Sequence, residues 1–216
     1  ADILVNLFDR IMGPDDRFIL SKGHGCWVYY VLLRELGFNP LLEGHPHYDP
    51  NNGVFCTAGS MGHGFPTAIG QALARKLKKE PGVVYVLIGD GEAQEGTTWE
   101  SLLIAGHLKL DNLVVIVDNN NIQGSGYVDK IMPVVDPLIG AALQSGWTVT
   151  EMDGHDDDAW EQFEVLDGFK INHNSPHLIV AHTIKGRGVS FMENQPKWHS
   201  NWLGGEMLEK ARQELT

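Results

Sequence analysis

Three short apolar runs, each separated from the next by segments of helical pattern, constrain the fold of this chain more than any other feature. The runs occupy residues 83–88, 113–117 and 178–181. They are continuous rather than alternating, as is typical of strands covered on both faces of a sheet. Strands that alternate with helices predict a parallel α/β sheet flanked by helices. The helical segments share apolar residues at helical spacing and span residues 66–79, 98–110, 138–144 and 156–166.

The composition indicates a single globular domain over residues 1–216, because 43% hydrophobic and 20% charged residues are ordinary values and no linker divides the chain. A net charge of -12 argues against a nucleic-acid surface, which needs clustered basic residues. We find no signal peptide and no apolar run long enough for a membrane span. Cys26 and Cys56 form no CxxC pair, which favours reduced thiols and a cytoplasmic location.

Three further stretches carry weaker signals. Residues 1–11 have the pattern of a helix already under way, so we expect preceding residues. The loop at 39–63 is rich in Gly, Pro and His, and a loop of that length in a compact domain is more often functional than idle. The stretch 193–205 is similar, and the pattern after it predicts a finishing helix.

Polar residues follow two consecutive predicted strands. Gly89, Asp90 and Gly91 come directly after the first strand, and Asn120 comes directly after the next. Parallel strands place these ends at one edge of the sheet, where ligands usually bind. The carboxylate of Asp90, the amide oxygen of Asn120 and a backbone carbonyl at Ile122 are the hard oxygen ligands that Mg²⁺ prefers. The alternative is a tight turn with an Asp cap, but the paired motif favours a metal and diphosphate site, with Gly91 leaving room for the diphosphate.

The spacing of the GDG motif, 27 further residues and NN resembles the thiamine diphosphate signature. The longer string GDGEAQEGTTWES is similar to transketolases, and the similarity extends from about residue 18 to residue 199. Further motifs in the family order carry it: LSKGHGCWVYY, TAGSMGHGFPTAIGQA, VDNNNIQGSG and AHTIKGRGVSFME. The resemblance implies a thiamine diphosphate-binding fold of the diphosphate-binding (PP) type. It also implies thiamine diphosphate and Mg²⁺ as cofactors, with Ca²⁺ or Mn²⁺ as possible replacements.

The resemblance also implies roles for individual cofactor-binding residues. Glu95 would help join two cofactor-binding subunits and order the site, although a solvated Glu at a helix start is the simpler reading. Asp118 would lie near the cofactor, or it is an ordinary turn residue. The loop before Pro66 would line the cofactor rings, unless it is only a helix entry. The expected cofactor-binding residues are Gly59, Ser60, Met61, Asp90, Gly91, Glu92, Glu95, Asp118, Asn120 and Ile122.

Three histidines stand at positions that the resemblance makes catalytic, although a lone histidine is more often structural. Neutral histidine can donate and accept hydrogen bonds at pH 7, which suits sugar hydroxyls and proton transfer. His24 and His199 would lie near the diphosphate, although WHS at His199 departs from the family pattern. His45 would contact the substrate's first hydroxyl and its carbonyl oxygen. The remaining histidines with less support are His47, His63, His107 and His155.

The resemblance covers only the first of the three domains of a transketolase. It implies a partner chain that carries the pyrimidine-binding and C-terminal domains and the catalytic Glu, in an α2β2 assembly. An early family histidine, expected before Ala1, is missing from these residues. The implied reaction moves a two-carbon glycolaldehyde unit from a ketose phosphate to an aldose phosphate, as in the pentose phosphate pathway. The alternatives are a deoxyxylulose-phosphate synthase-like enzyme that uses pyruvate, and a non-catalytic thiamine-binding or assembly subunit.

Overall fold

The chain folds around a five-stranded parallel sheet in which the spatial order of the strands is β1-β2-β3-β7-β6. The computed structural model describes residues 1–165 and 174–216. Two further short strands, β4 and β5, form an antiparallel hairpin beside the sheet. In chain order the strands are β1 (Arg17–Leu20), β2 (Val84–Gly89), β3 (Leu113–Asn119), β4 (Ile122–Gln123), β5 (Gly126–Tyr127), β6 (Thr148–Asp153) and β7 (His177–His182).

Helices precede, follow and connect the strands. The first helix continues into a π-helical turn at Leu7–Ile11, and a 3-10 turn at Pro50–Asn52 interrupts the long loop. In chain order the helices are α1 (Asp2–Asn6), α2 (Cys26–Glu35), α3 (Gly64–Lys78), α4 (Gly96–His107), α5 (Val128–Ile131), α6 (Val135–Gln144), α7 (Asp157–Val165) and α8 (Gly205–Glu214).

The predicted parallel α/β sheet is confirmed, and all three apolar runs are central strands. Strands β1 and β6 were missed. Strand β6 lies at the sheet edge and is largely half-exposed, so its sequence TVTEMD lacks a continuous apolar run. Helices α3, α4 and α6 each begin two or three residues before their predicted starts. Helix α3 ends at Lys78, and the next residue, Lys79, has a φ of 58°. Leu166, the predicted end of α7, lies outside the described residues.

The core consists of two apolar layers, one on each face of the sheet. Along β2, Val84, Val86 and Ile88 point into one layer, while Tyr85 and Leu87 point into the other. Helices α3, α4 and α6 cover the first layer, and α1, α2 and α7 cover the second. This double coverage explains why the central strands contain continuous apolar runs.

Close packing between α4 and α6 gives a first testable prediction. A Cβ at Gly106 of α4 would overlap the backbone oxygen of Ser145 and lie 3.1 Å from the indole nitrogen of Trp147. We expect Gly106→Ala to lower the free energy of unfolding by about 1–3 kcal/mol, because backbone cannot give way easily. Gly70→Ala in α3, where a Cβ meets no atom within 4 Å, should instead raise it by up to about 1 kcal/mol. The urea unfolding midpoints of the two variants check this prediction. Equal midpoints for Gly106→Ala and Gly70→Ala would contradict the close packing at Gly106.

Membrane spans were sought among the described helices. None of those in residues 1–165 and 174–216 is both long enough and apolar enough to cross a bilayer.

Candidate functional site

The carboxyl ends of four adjacent strands meet around one cavity of about 230 Å³. The segments after β1, β2, β3 and β7 supply Lys22, Asp90, Asn120 and Lys185 to its wall, and His199 reaches it from the C-terminal part of the chain. The cavity thus lies where a parallel α/β sheet commonly binds ligands. The predicted site residues that line it are His24, Met61, Asp90, Gly91, Glu92, Glu95, Asn120, Ile122 and His199.

Asp90 and Asn120 both lie on the cavity wall. The Asp90 carboxylate is 2% exposed and accepts hydrogen bonds from the backbone N–H groups of Gly91, at 2.7 Å, and Asn121. Burial raises the pKa of Asp90 to about 6 in spite of these bonds. The amide oxygen of Asn120 accepts a 3.1 Å hydrogen bond from the Ile122 N–H. The cavity wall therefore presents hard oxygen atoms from two strand ends, one of them a carboxylate whose negative charge is poorly solvated.

The hairpin of β4 and β5 closes one side of the site. Ile122 opens it and is 3% exposed. A Cβ at Gly91 would lie 2.8 Å from the Cβ of Gln123 in this hairpin. The glycine is needed for packing between the turn after β2 and the hairpin. Gly91 also lines the cavity, so the approach of a diphosphate to its backbone stays a prediction.

The buried Glu92 side chain stabilises the cavity wall. Its carboxylate accepts hydrogen bonds from the Ser21 hydroxyl, from the Gly62 N–H at 2.8 Å and from the Gly89 N–H at 3.2 Å. Burial raises the pKa of Glu92. Since these bonds join the turn after β1, the loop before α3 and the end of β2, the side chain fixes three segments of the cavity wall.

A buried ion pair between Lys22 and Asp118 lies between the ends of β1 and β3. Burial opposes the charge on Lys22, but attraction to Asp118 and a hydrogen bond with it raise the pKa of Lys22. Burial would likewise raise the pKa of Asp118, yet the Lys22 charge and hydrogen bonds from Lys22, Thr183 and Asn120 hold it well below its usual value. Asp118 does not line the 230 Å³ cavity. It lines a second cavity of about 750 Å³ together with Lys22, Asn120 and Lys185, and there it binds Lys22, Thr183 and Asn120.

His24 and His199 lie side by side at the cavity, with ring centroids 4.9 Å apart. Partial burial and the nearby Lys22 lower the pKa of His24 to about 3. Burial, Lys185 and Lys22 lower the pKa of His199 to about 4. Both rings are therefore neutral at pH 7. The Nδ1 atom of His199 is buried and has no hydrogen-bond partner among the residues that the structure describes.

The long loop borders the site and reaches the cavity wall only at Met61. His45 packs against the SKGHG turn, since a Cβ at Gly23 would lie 3.1 Å from its Cδ2 atom. A Cβ at Gly59 would be 3.5 Å from the Cγ atom of the same ring. Of the three loop residues expected at the cofactor rings, only Met61 lines the cavity, while His45, Gly59 and Ser60 lie outside its wall.

The four histidines with less support are placed apart from the cavity. His47 pairs with Glu43 at 2.8 Å on the surface, and His63 immediately precedes α3. His107 is exposed in the last turn of α4. His155 is nearly buried in the turn after β6 and forms hydrogen bonds.

Two site lysines were missed in the sequence. Lys22 and Lys185 both line the cavity, and burial together with repulsion from Lys22 lowers the pKa of Lys185. A signal was present, because each lysine directly precedes a glycine just after a strand, in SKG and in IKG. For Lys22, this signal can be recognised only if β1 is known, and the apolar pattern did not reveal that strand.

No group of three or more His, Cys, Asp or Glu side chains within residues 1–165 and 174–216 is arranged to hold a metal. A magnesium site does not require such a group, because one carboxylate, neutral oxygens, water and ligand phosphate complete its octahedron. The fold and the cavity define a class: a parallel α/β domain that presents oxygen ligands and cationic side chains at its strand ends.

The family described as "Transketolase, thiamine diphosphate binding domain" matches residues 8–216. The chain is 37% identical to one subunit of the apulose-4-phosphate transketolase of Actinobacillus succinogenes, covering 100% of this chain and 84% of that protein. It is 35% identical to the SqwG subunit of the 6-deoxy-6-sulfo-D-fructose transketolase of Clostridium sp., covering 100% and 85%. The transketolase of Leishmania mexicana superposes with a TM-score of 0.87 at 28% identity, over 99% of this chain and 36% of that chain.

The chain therefore belongs to the transketolase family and comprises its thiamine diphosphate-binding domain. The sequence-based family assignment and fold class are confirmed, as is the expected enzyme class, the thiamine diphosphate-dependent transferases. The chain spans most of the length of the two relatives that are named as transketolase subunits, but only about a third of the Leishmania mexicana transketolase.

Proposed function

We propose that this chain is the diphosphate-binding subunit of a two-subunit transketolase. It would hold thiamine diphosphate through Mg²⁺ at Asp90, Asn120 and the carbonyl of Ile122. The observation that carries the proposal is the meeting of Asp90 and Asn120, from neighbouring strand ends, at one cavity that also contains two lysines. When bound, thiamine diphosphate supplies the carbanion chemistry that cleaves and forms bonds next to a carbonyl.

The residues present fit a metal–diphosphate group. A buried carboxylate without a cation is costly, so Asp90 gains from a divalent ion placed beside it. The unpartnered Nδ1 of His199 can donate a hydrogen bond to a phosphate oxygen, and Lys22 and Lys185 can offset the diphosphate charge. Met61 and Glu95, with Gly59 and Ser60 at the border, would face the remainder of the cofactor.

The histidines would act on the sugar and the diphosphate. Because His24 and His199 are neutral at pH 7, each ring can donate one hydrogen bond and accept another. We assign proton transfer at substrate hydroxyls to His24 and diphosphate contact to His199. His45, held against the SKGHG turn, would contact the sugar only if the loop moves toward the cavity or a bound ligand extends beyond it.

The second subunit is proposed because the relatives that this chain matches over most of their length are named as single subunits of their transketolases. It would carry the pyrimidine-binding domain and the catalytic Glu, in an α2β2 assembly. An exposed aromatic pair next to the histidines fits coverage by another chain. Trp27 is 43% exposed, Trp202 is 78% exposed, and their ring centroids are 5.9 Å apart.

The substrates would be phosphorylated sugars. One relative is named for apulose-4-phosphate and another for 6-deoxy-6-sulfo-D-fructose, so the shared chemistry is a ketose with an anionic end. We propose transfer of a two-carbon glycolaldehyde unit from such a ketose to an aldose. The free thiols of Cys26 and Cys56 suit the reducing cytoplasm as the place of this reaction.

The test is to assay the chain by itself and with the second subunit that co-purifies with it. With thiamine diphosphate, Mg²⁺, a ketose phosphate donor and an aldose acceptor, we expect turnover only from the two subunits together. The chain by itself should show less than about a hundredth of that rate, since the proposal places the catalytic Glu on the second subunit. Pyruvate as donor is the control. Turnover from pyruvate, or full activity of the lone chain, would overturn the proposal.

A further inference from the structure

The turn after β6 packs directly on the end of β7. The Gly154 N–H donates a 2.8 Å hydrogen bond to the His182 carbonyl, and the His155 N–H donates one of 2.8 Å to the Asp153 carboxylate. A Cβ at Gly154 would lie 2.7 Å from the methyl carbon of Thr183. This close approach brings the His155 ring to the segment that follows β7.

His155 joins the first helix to that segment. Its Nε2 atom lies 2.8 Å from the Ile184 backbone nitrogen, and its Nδ1 atom contacts the Asp2 carboxylate. A backbone N–H can only donate, so Nε2 must be the acceptor and Nδ1 must carry the proton that goes to Asp2. Because the imidazole is only 10% exposed, the two partners fix both the tautomer and the ring orientation.

The segment at residues 183–185 carries a cation into the cofactor cavity. Thr183 donates its N–H to the Asn119 carbonyl at 3.0 Å and its hydroxyl to Asp118. The Lys185 carbonyl accepts from the Asn194 N–H at 3.0 Å. Between these anchors, the Ile184 N–H donates to His155, and the Ile184 carbonyl accepts a 3.2 Å hydrogen bond from the Arg187 N–H.

We propose that His155 is a positioning residue for Lys185. By accepting from the Ile184 N–H, and being held by Asp2, it fixes the backbone from which the Lys185 side chain enters the cavity. His155 thereby fixes the position of the positive charge of Lys185, which faces the anionic end of the ligand. This proposal rests on the proposed function for the identity of that ligand. His155 is not on the wall of the 230 Å³ cavity, although it lines the 750 Å³ cavity together with Ile184 and Lys185. The proposal therefore assigns it an effect on Lys185 and no contact with the ligand in the 230 Å³ cavity.

The backbone part of the proposal can be tested without ligand. In His155→Leu, hydrogen exchange of the Ile184 amide should accelerate about tenfold, the equivalent of one lost hydrogen bond. His155→Gln, whose amide oxygen can still accept from the Ile184 N–H, should restore most of the protection. In the wild type, ¹⁵N chemical shifts should show His155 protonated at Nδ1. Unchanged exchange in His155→Leu, or a proton on Nε2, would overturn the proposal.

The ligand part requires a double-mutant cycle. Affinity for thiamine diphosphate with Mg²⁺ is measured by calorimetry on the chain with its second subunit, for His155→Leu, Lys185→Met and the double variant. We expect about tenfold weaker binding in each single variant and no further loss in the double variant. A purely structural role would instead give additive losses. His107→Leu, which removes an exposed histidine, should leave both readouts unchanged.

The two tests distinguish the possible failures. Absence of thiamine diphosphate binding by the wild-type subunits would refute the proposed function, while the exchange data would still decide whether His155 holds the segment. Additive losses with normal wild-type binding would refute the positioning role and leave the proposed function intact.

Discussion

Asp90→Ala is expected to abolish Mg²⁺-dependent binding of thiamine diphosphate by the two-subunit enzyme. Asp90 is the only proposed magnesium ligand with a formal charge, since Asn120 and Ile122 supply neutral oxygens. Removing it should weaken the affinity at least about 100-fold, more than the loss of a residue that only supports a ligand. Calorimetry with the cofactor, with and without Mg²⁺, measures the effect. Affinity like that of the wild type would refute the ligand assignment.

Two control variants distinguish the loss of metal coordination from the loss of folding. Asp90→Asn keeps the side-chain size and removes the buried charge, which is costly without a cation. Its single amide oxygen keeps one of the two backbone N–H bonds, so its urea midpoint without ligand should stay close to that of the wild type, although its cofactor affinity falls. Asp111→Ala removes a carboxylate that pairs with Lys76 at 2.7 Å, beside the amino end of β3. Its cofactor affinity should be unchanged.

Much of the cavity wall could be predicted because its residues directly follow consecutive strands in the chain. A parallel sheet brings the residues after consecutive strands to one edge, so the spacing of Asp90 and Asn120 in the sequence already predicts their meeting at the cavity. The same rule places Lys185 there, since it follows the predicted strand β7, and it would have placed Lys22 there if the short strand β1 had been recognised. The sequence analysis therefore brought two oxygen-bearing residues of the cavity wall together but missed the lysines that lie beside them.

Other features depend on contacts that no local pattern encodes. The carboxylate of Asp118, a residue expected near the cofactor, pairs with Lys22, which lies 96 positions away in the chain. At Gly91, the Gln123 side chain lies against the position that a Cβ would occupy. His155 matched a turn, and its bond to Ile184 arises only when β6 and β7 pair. Such pairings follow from the tertiary arrangement, which the propensities and motifs did not reveal.

Lys22→Met is expected to cause the largest loss of stability among the variants considered. It leaves the Asp118 carboxylate buried without its cation, and breaking a buried ion pair from one side typically costs about 3–5 kcal/mol. Since the total stability of a domain is about 5–15 kcal/mol, the fall in urea midpoint should be large. Lys76→Met breaks the more exposed pair with Asp111 and should cost at most about 1 kcal/mol.

The double variant Lys22→Met with Asp118→Asn tests the cause of that loss. An uncharged amide at position 118 removes the unpaired buried charge, so most of the lost stability should return, and the two substitutions should be strongly non-additive. Thr183 and Asn120 donate to Asp118 in the wild type, and the single amide oxygen of the substituted side chain can accept only part of their bonds. Recovery of stability should therefore come without full recovery of cofactor affinity, since the Asn120 amide loses the partner that orients its oxygen. Additive destabilisation in the double variant would mean that Lys22 contributes through packing of its aliphatic chain and not through its charge.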